Sequence, residues 1–239
     1  MLTHAQRKAV TALHRKKGRM DAARFLVEGV KSVGELLQSG WAVDQIFATP
    51  EWQPPPDLSV PVQPVSPEEL KRLSLLETPQ EVLAVVPLPP SPEPEPLQGR
   101  WIALDQLQDP GNLGTILRLA DWFGLAGVLC SPDCVEWSNP KTVQASMGSV
   151  FRIPIRIQDL STLQTPWLAG AFLSGKNLYE TPLPENGVIV LGNEGRGISP
   201  ALASLIPNHL TIPSFGEAES LNAAMAAAVF CSEWRRPQV

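Results

Sequence analysis

The stretch Val188-Ile-Val-Leu-Gly-Asn-Glu-Gly-Arg-Gly-Ile-Ser199 joins a short, uninterrupted apolar run to a turn containing Gly192, Gly195 and Gly197. A run of this length without polar alternation predicts a strand buried on both faces, and the glycines that follow allow main chain to approach a ligand closely. Four further runs repeat the pattern: Trp101–Asp105, Gly127–Cys130, Ala171–Ser174 and His209–Ile212. Helix-like or loop segments separate them, among them Leu113–Phe123 and the alanine-rich Ser220–Trp234. Short buried strands alternating with helices predict an α/β domain on a mainly parallel sheet.

Ligands in open α/β sheets bind beyond the strand ends, and three segments of this chain leave strands there. The first is Asp109-Pro-Gly-Asn-Leu-Gly-Thr-Ile-Leu-Arg118, a turn entering a helix. The second is the glycine-bearing stretch Leu191–Ser199. The third is Ile212-Pro-Ser-Phe-Gly-Glu-Ala-Glu-Ser-Leu-Asn222, whose polar end precedes a nearly apolar helix. Taken singly, each has an ordinary explanation: a solvated helix arginine at Arg118, a tight loop at Gly192–Gly197, a helix cap at Glu219 or Ser220. The glycine segment contains no Gly-Lys-Ser/Thr and does not match a dinucleotide fingerprint, which argues against a phosphate-loop nucleotide enzyme.

Upstream, Phe25–Gly40 carries apolar residues at Val30, Val33, Leu36 and Leu37, a spacing that predicts a helix closed by Gly40. Gln45–Thr49 and Glu81–Val86 read as strands, and Pro67 opens another helix. Pro50–Pro67 reads as an irregular loop. The proline-dense stretch Pro87–Pro96 cannot continue helix or sheet and reads as a linker. The expected organisation is a small α/β domain at 1–86, a linker at 87–98 and a larger domain at 99–239.

Charge is divided unevenly. From Met1 to Lys31, eight basic residues against two acidic ones give +6, so the remainder of this chain of net charge −5 carries −11. Such a basic arm suits a phosphate backbone, with Arg7, Lys8, Arg15, Lys16, Lys17, Arg19 and Arg24 as candidate RNA contacts; a solvated helix face fits the charge equally well. Cys130, Cys134 and Cys231 form no metal-type or disulfide-type spacing, and reduced thiols, no bound metal and a cytoplasmic setting are expected. No apolar run approaches a membrane span, and Met1–Met20 is basic and polar, unlike an export signal.

In order and spacing, the three segments together resemble the motifs of the SpoU, or TrmH-like, RNA ribose methyltransferases of the SPOUT superfamily. Asn112, Gly114 and Arg118 match the first motif; Leu191, Gly192, Glu194, Gly195 and Gly197 the second; Ile212, Pro213, Ser220, Leu221 and Asn222 the third. Lys141–Gly148 resembles the intervening Ser-x-Gly segment, and Phe25-Leu-Val-Glu-Gly-Val30 resembles an L30e-like RNA-binding domain. The resemblance implies a deep trefoil knot, a rare exception among folds. It also implies a homodimer and S-adenosylmethionine held mainly by main chain at Leu191, Gly192, Asn193, Gly197, Ile212, Leu221 and Asn222.

The implied catalytic group is Arg118, Asn112, Glu194, Ser220 and Asn222, acting on a ribose 2′-hydroxyl. Ribosomal RNA is the expected acceptor, with transfer RNA as the alternative, and a non-catalytic RNA-binding assembly factor on the same fold as a second. Family arginines at the Arg118 position are often assigned as the general base. A guanidinium stays protonated at neutral pH and accepts protons poorly, so a clamp on phosphate and developing alkoxide is the preferred role, with Arg118 also an RNA contact.

Overall fold

The computed structural model describes residues 2–90 and 96–236. The first stretch runs α1 (His4–Ala12), α2 (Lys16–Ala22), β1 (Arg24–Glu28), α3 (Val30–Gln38), β2 (Gln45–Ala48), β3 (Val62–Pro64), α4 (Pro67–Leu73) and β4 (Val82–Pro87). The second runs β5 (Arg100–Leu104), α5 (Pro110–Trp122), β6 (Gly127–Cys130), α6 (Pro140–Ser146), β7 (Ile155–Ile157), β8 (Leu168–Asn177), β9 (Gly187–Leu191), α7 (Pro200–Ala203), β10 (Asn208–Thr211) and α8 (Ala223–Arg235). The expected linker at 87–98 falls in part, at 91–95, outside the described residues.

Two compact units emerge. One holds the described residues to Pro90 together with Ser138–Phe151; the other holds the remainder. In the first unit the strand order is β1-β4-β2-β3, antiparallel except for the β2–β3 pair. Phe25, Leu26 and Val27 are a buried strand rather than the start of the expected helix. Gly29, at φ 96°, turns the chain into α3, where the predicted spacing of Val33 and Leu36 holds. The segment Pro140–Ser146 packs against β1 as α6, so this unit draws on two separated parts of the chain.

The basic N-terminal stretch is folded. Thr3 and Gln6 form a reciprocal capping box that starts α1, and Val10 and Leu13 are buried in a core with Leu26, Phe47, Leu70 and Leu83. Full burial of each such aliphatic side chain contributes about 1.5–3 kcal/mol.

The second unit is a six-stranded sheet of order β10-β8-β9-β5-β6-β7, every neighbouring pair parallel. All residues of β5 and of β9 are buried, which is why both read as continuous apolar runs. β7 lies at one edge; only partly buried and three residues long, it lacks that signature. Along the C-terminal ends of β5, β9 and β10 run the three segments singled out in the sequence, and α5 packs against α8 beside them.

Candidate functional site

The first segment enters α5 through Asp109, whose Oδ1 accepts the Asn112 main-chain N–H at 2.7 Å while Pro110 occupies the first helical position. This cap leaves the Asn112 side chain to reach away from the helix. Its Nδ2 donates to Glu194 Oε1 at 3.0 Å, and its Oδ1 accepts from Asn222 Nδ2 at 3.0 Å. Asn222 Oδ1 in turn caps α8 through the main-chain N–H groups of Ala224 at 2.9 Å and Met225 at 3.3 Å. One hydrogen-bonded relay, Glu194 to Asn112 to Asn222, therefore ties together all three segments.

Glu194 also accepts the main-chain N–H of Asp109 at 3.3 Å and of Gln108 at 3.5 Å. Partial burial pushes its carboxyl pKa up, but the bonds donated by Asn112 and by main chain prevail and hold it below the ordinary glutamate value. Glu194 thus secures the loop before α5 and not Arg118.

The glycine segment is a tight hairpin. Asn193 and Gly197 exchange main-chain N–H···O bonds, both at 2.9 Å, and Gly197 sits at φ 69°. A Cβ on Gly192 would stand 2.1 Å from the main-chain carbon of Gly197, so only glycine allows the two arms to meet. Asn193 is committed to the loop: its Oδ1 accepts from Gly195 and Arg196 main chain at 3.0 and 3.2 Å, and its Nδ2 donates to Gln106 O at 2.8 Å. Its side chain is therefore a loop brace, which leaves main chain as its means of holding a ligand.

Around the hairpin, Leu191 is buried, Ile212 is half-buried, and Leu221 is exposed in the loop before α8. Ser220 is exposed with its hydroxyl unpartnered among the described residues. Arg118 is likewise exposed and without a hydrogen-bond or ion-pair partner among the described residues. It borders a groove of about 740 Å³ between α5 and α8, next to Trp122 and Tyr179, and stands apart from the relay.

Sequence reasoning missed Asp105, which is buried at the end of β5 and whose Oδ2 accepts the Ser199 main-chain N–H at 2.7 Å, pinning the far side of the glycine loop. An acidic residue closing a buried strand was the available signal. Among the candidate RNA contacts, Arg19 needs correction. It is 2% exposed, and its Nη1 donates to Leu13 O at 3.0 Å and His14 O at 3.1 Å, so it braces the turn between α1 and α2 rather than facing solvent. Lys8, Arg15, Lys16, Lys17 and Arg24 are exposed and Arg7 partly so, Arg24 pairing with Asp44 at 2.5 Å.

The family model described as SpoU rRNA Methylase matches residues 99–232, which carry all three segments. The chain belongs to the SpoU rRNA methylase family. A second family model, the MRM3-like substrate binding domain, matches residues 5–84. Among SpoU relatives, the Bacillus subtilis 23S rRNA (guanosine(2553)-2′-O)-methyltransferase RlmP is 34% identical over 226 residues, covering 91% of this chain and 90% of the relative. The rRNA methyltransferase from Sinorhizobium meliloti, solved with AdoMet bound, superimposes with a TM-score of 0.89 at 28% identity, covering 100% of this chain and 97% of that one. The SpoU methyltransferase AviRb from Streptomyces viridochromogenes, solved in complex with the cofactor AdoMet, gives 0.88 at 26% identity, covering 99% and 98%. No group of three or more His, Cys, Asp or Glu side chains suited to a metal occurs among the described residues, and none of their helices is long and apolar enough to cross a membrane.

Proposed function

We propose that this protein transfers the methyl group of S-adenosylmethionine to a ribose 2′-hydroxyl of ribosomal RNA. The relay from Glu194 through Asn112 to Asn222 carries the reading, because it joins one residue from each of the three SpoU motifs. The acceptor is read from the B. subtilis relative, named for 23S rRNA, together with the match to a substrate binding domain over 5–84.

The residues present fit the donor. Gly197 has open space on the side where a Cβ would stand, Leu221 is 53% exposed, and Leu191, Gly192, Asn193, Ile212 and Asn222 surround them along the chain. Apolar surface beside accessible main chain suits a nucleoside held by its base and ribose. When bound, S-adenosylmethionine supplies an electrophilic methyl on sulfonium.

This chain's own residues do the rest. Arg118 offers an unpartnered guanidinium to the phosphate beside the acceptor and to the oxygen as negative charge grows on it. Ser220 holds the hydroxyl in line for attack. Asn112, Glu194 and Asn222 fix the loops whose separation sets that alignment, and positioning supplies much of the rate. The 2′-hydroxyl proton leaves to phosphate or water.

The working unit in this reading is a homodimer built on the groove of α5 and α8. Trp122, 84% exposed, lines that groove with Leu119, Phe123 and Val229 as apolar surface for a second copy, and Met225 of α8, 62% exposed, adds to it. The trefoil knot of the family belongs to the same reading. The exposed cations Lys8, Arg15, Lys16, Lys17 and Arg24, with Arg7, supply sequence-independent attraction to RNA.

Incubating the protein with total RNA and methyl-labelled donor, then mapping 2′-O-methylation, tests the reading. Label confined to one ribose of 23S rRNA is expected; label on transfer RNA alone, or none with donor bound, overturns it.

A further inference from the structure

Every ribose in an RNA chain is flanked by two phosphodiesters, one on each side. The three motif segments carry five carboxylates, Asp105, Asp109, Glu194, Glu217 and Glu219, so the negative charge of both phosphodiesters has to be met by the few cations there. Across the three motif segments, 105–118, 191–199 and 212–222, the basic residues are Arg118 and Arg196 alone. Arg118 has already been given the phosphate beside the reacting oxygen. We infer that Arg196 holds the second flanking phosphodiester, so that the acceptor ribose is gripped from both sides; this rests on the methyltransferase reading above.

The structure builds the glycine hairpin in a way that presents this side chain. Asn193 Oδ1 accepts the main-chain N–H of Arg196 at 3.2 Å and of Gly195 at 3.0 Å, while the Asn193–Gly197 pair closes the hairpin with two bonds at 2.9 Å. The direction in which residue 196 leaves the loop is thereby set before any ligand arrives. Glu194, two residues earlier on the same turn, is held by Asn112, so the acid of the hairpin is drawn into the relay while the base is left outside. The Arg196 side chain is exposed and, among the described residues, its guanidinium has no hydrogen-bond or ion-pair partner. A planar, permanently charged fork on a braced loop is suited to two oxygens of a phosphodiester. Since a solvated loop arginine could be replaced at no cost to binding, the two cases differ measurably.

Filter binding of an in vitro 23S rRNA transcript, across a series of salt concentrations and with no methyl donor added, reads this interaction without requiring turnover. Arg196→Gln is expected to bind about tenfold more weakly near physiological salt, with the slope of log affinity against log salt shallower by about 0.7, the contribution of one phosphate on a single strand. Arg196→Lys should recover the slope and part of the affinity. Titration calorimetry should give S-adenosylmethionine affinity equal to wild type in both variants. An unchanged transcript affinity and slope in Arg196→Gln overturns the inference, as does a loss of donor affinity, which would place Arg196 in the donor pocket instead. If wild type binds the transcript yet transfers no methyl, the methyltransferase reading fails while the salt slopes still decide what Arg196 holds.

Discussion

Asn222 donates its Nδ2–H to Asn112 Oδ1 at 3.0 Å across 110 residues of sequence, while its own Oδ1 caps α8. The two jobs use different atoms and can be separated. Asp caps a helix about as well as Asn, so Asn222→Asp keeps the cap but has no N–H to offer Asn112. Its melting temperature should stay near wild type while methyl transfer falls roughly 10²-fold, the scale of a misplaced reacting group. Asn222→Ala loses the cap as well, at about 1 kcal/mol, and should melt lower. Equal activity of Asn222→Asp and wild type would remove the relay from the mechanism.

Glu194 carries a carboxyl held below the ordinary value of 4.5 by the bonds it accepts from Asn112, Asp109 and Gln108, these outweighing the upward push of burial. A group whose pKa is lowered by folding stabilises the native state above its unfolded value and loses that contribution as pH falls through the folded one. Its share is thus constant from neutral pH down to about 4.5 and disappears below it. Glu194→Gln lacks the charge throughout, so its melting temperature should lie below wild type at pH 7 and converge on it in acid. A gap that stays constant through the acid range would show that the charge is not what secures the loop.

Much of this architecture could be read from the chain because parallel strands buried on both faces leave continuous apolar runs. Trp101–Asp105 and Val188–Leu191 coincide with β5 and β9 for that reason. β7 stayed hidden because its three residues are only partly buried. Phe25–Val27 was absorbed into the helical spacing that Val33 and Leu36 set further on, although Gly29 at φ 96° ends one element and starts the next. At the site, the motif residues were visible as residue types, but their partners were not. Asn112 meets Glu194 across 82 positions, and no local spacing reports such a pairing.

Gly192 should be intolerant of even one methyl group. A Cβ there would stand 2.1 Å from the main-chain carbon of Gly197, and main chain has no rotamer by which to move aside. Gly192→Ala is expected to open the hairpin and abolish S-adenosylmethionine binding in calorimetry. Gly216, in the third segment, has nothing within 4 Å of the same position, so Gly216→Ala should bind donor as wild type does. Similar donor affinities in the two variants would contradict the role given to the hairpin.

Arg118 is exposed and unpartnered among the described residues, as suits a group whose partner arrives with the RNA. Lysine keeps the charge but not the fork that can bind phosphate and alkoxide together. Arg118→Lys should leave donor affinity unchanged and lower single-turnover methyl transfer roughly 10²-fold, comparable to losing one donor to a developing oxyanion. Nearly full turnover would show that bidentate geometry is unnecessary.

Arg19 and Lys17 lie two positions apart in a basic run, yet they should answer mutation in opposite ways. Arg19 is 2% exposed, and its guanidinium donates to the carbonyls of buried Leu13 and half-buried His14 just past the end of α1, which would lose that donor without it. Around it the chain is tight, since a Cβ on Gly18 would stand 1.9 Å from Ala12 O. Arg19→Met keeps much of the side-chain volume but removes the donors, at a cost of about 1.5–3 kcal/mol for hydrogen bonds from a charged group, and should lower the denaturation midpoint. The RNA that remains bound to folded Arg19→Met should show the wild-type salt slope, because no phosphate contact has been lost. Lys17 is exposed, and Lys17→Gln should leave the midpoint in place while making the salt slope shallower by about 0.7–0.9. Measuring both quantities on both variants separates the charge that builds the turn from the charge the turn displays. A shallower slope in Arg19→Met at unchanged stability would return Arg19 to the RNA-facing set.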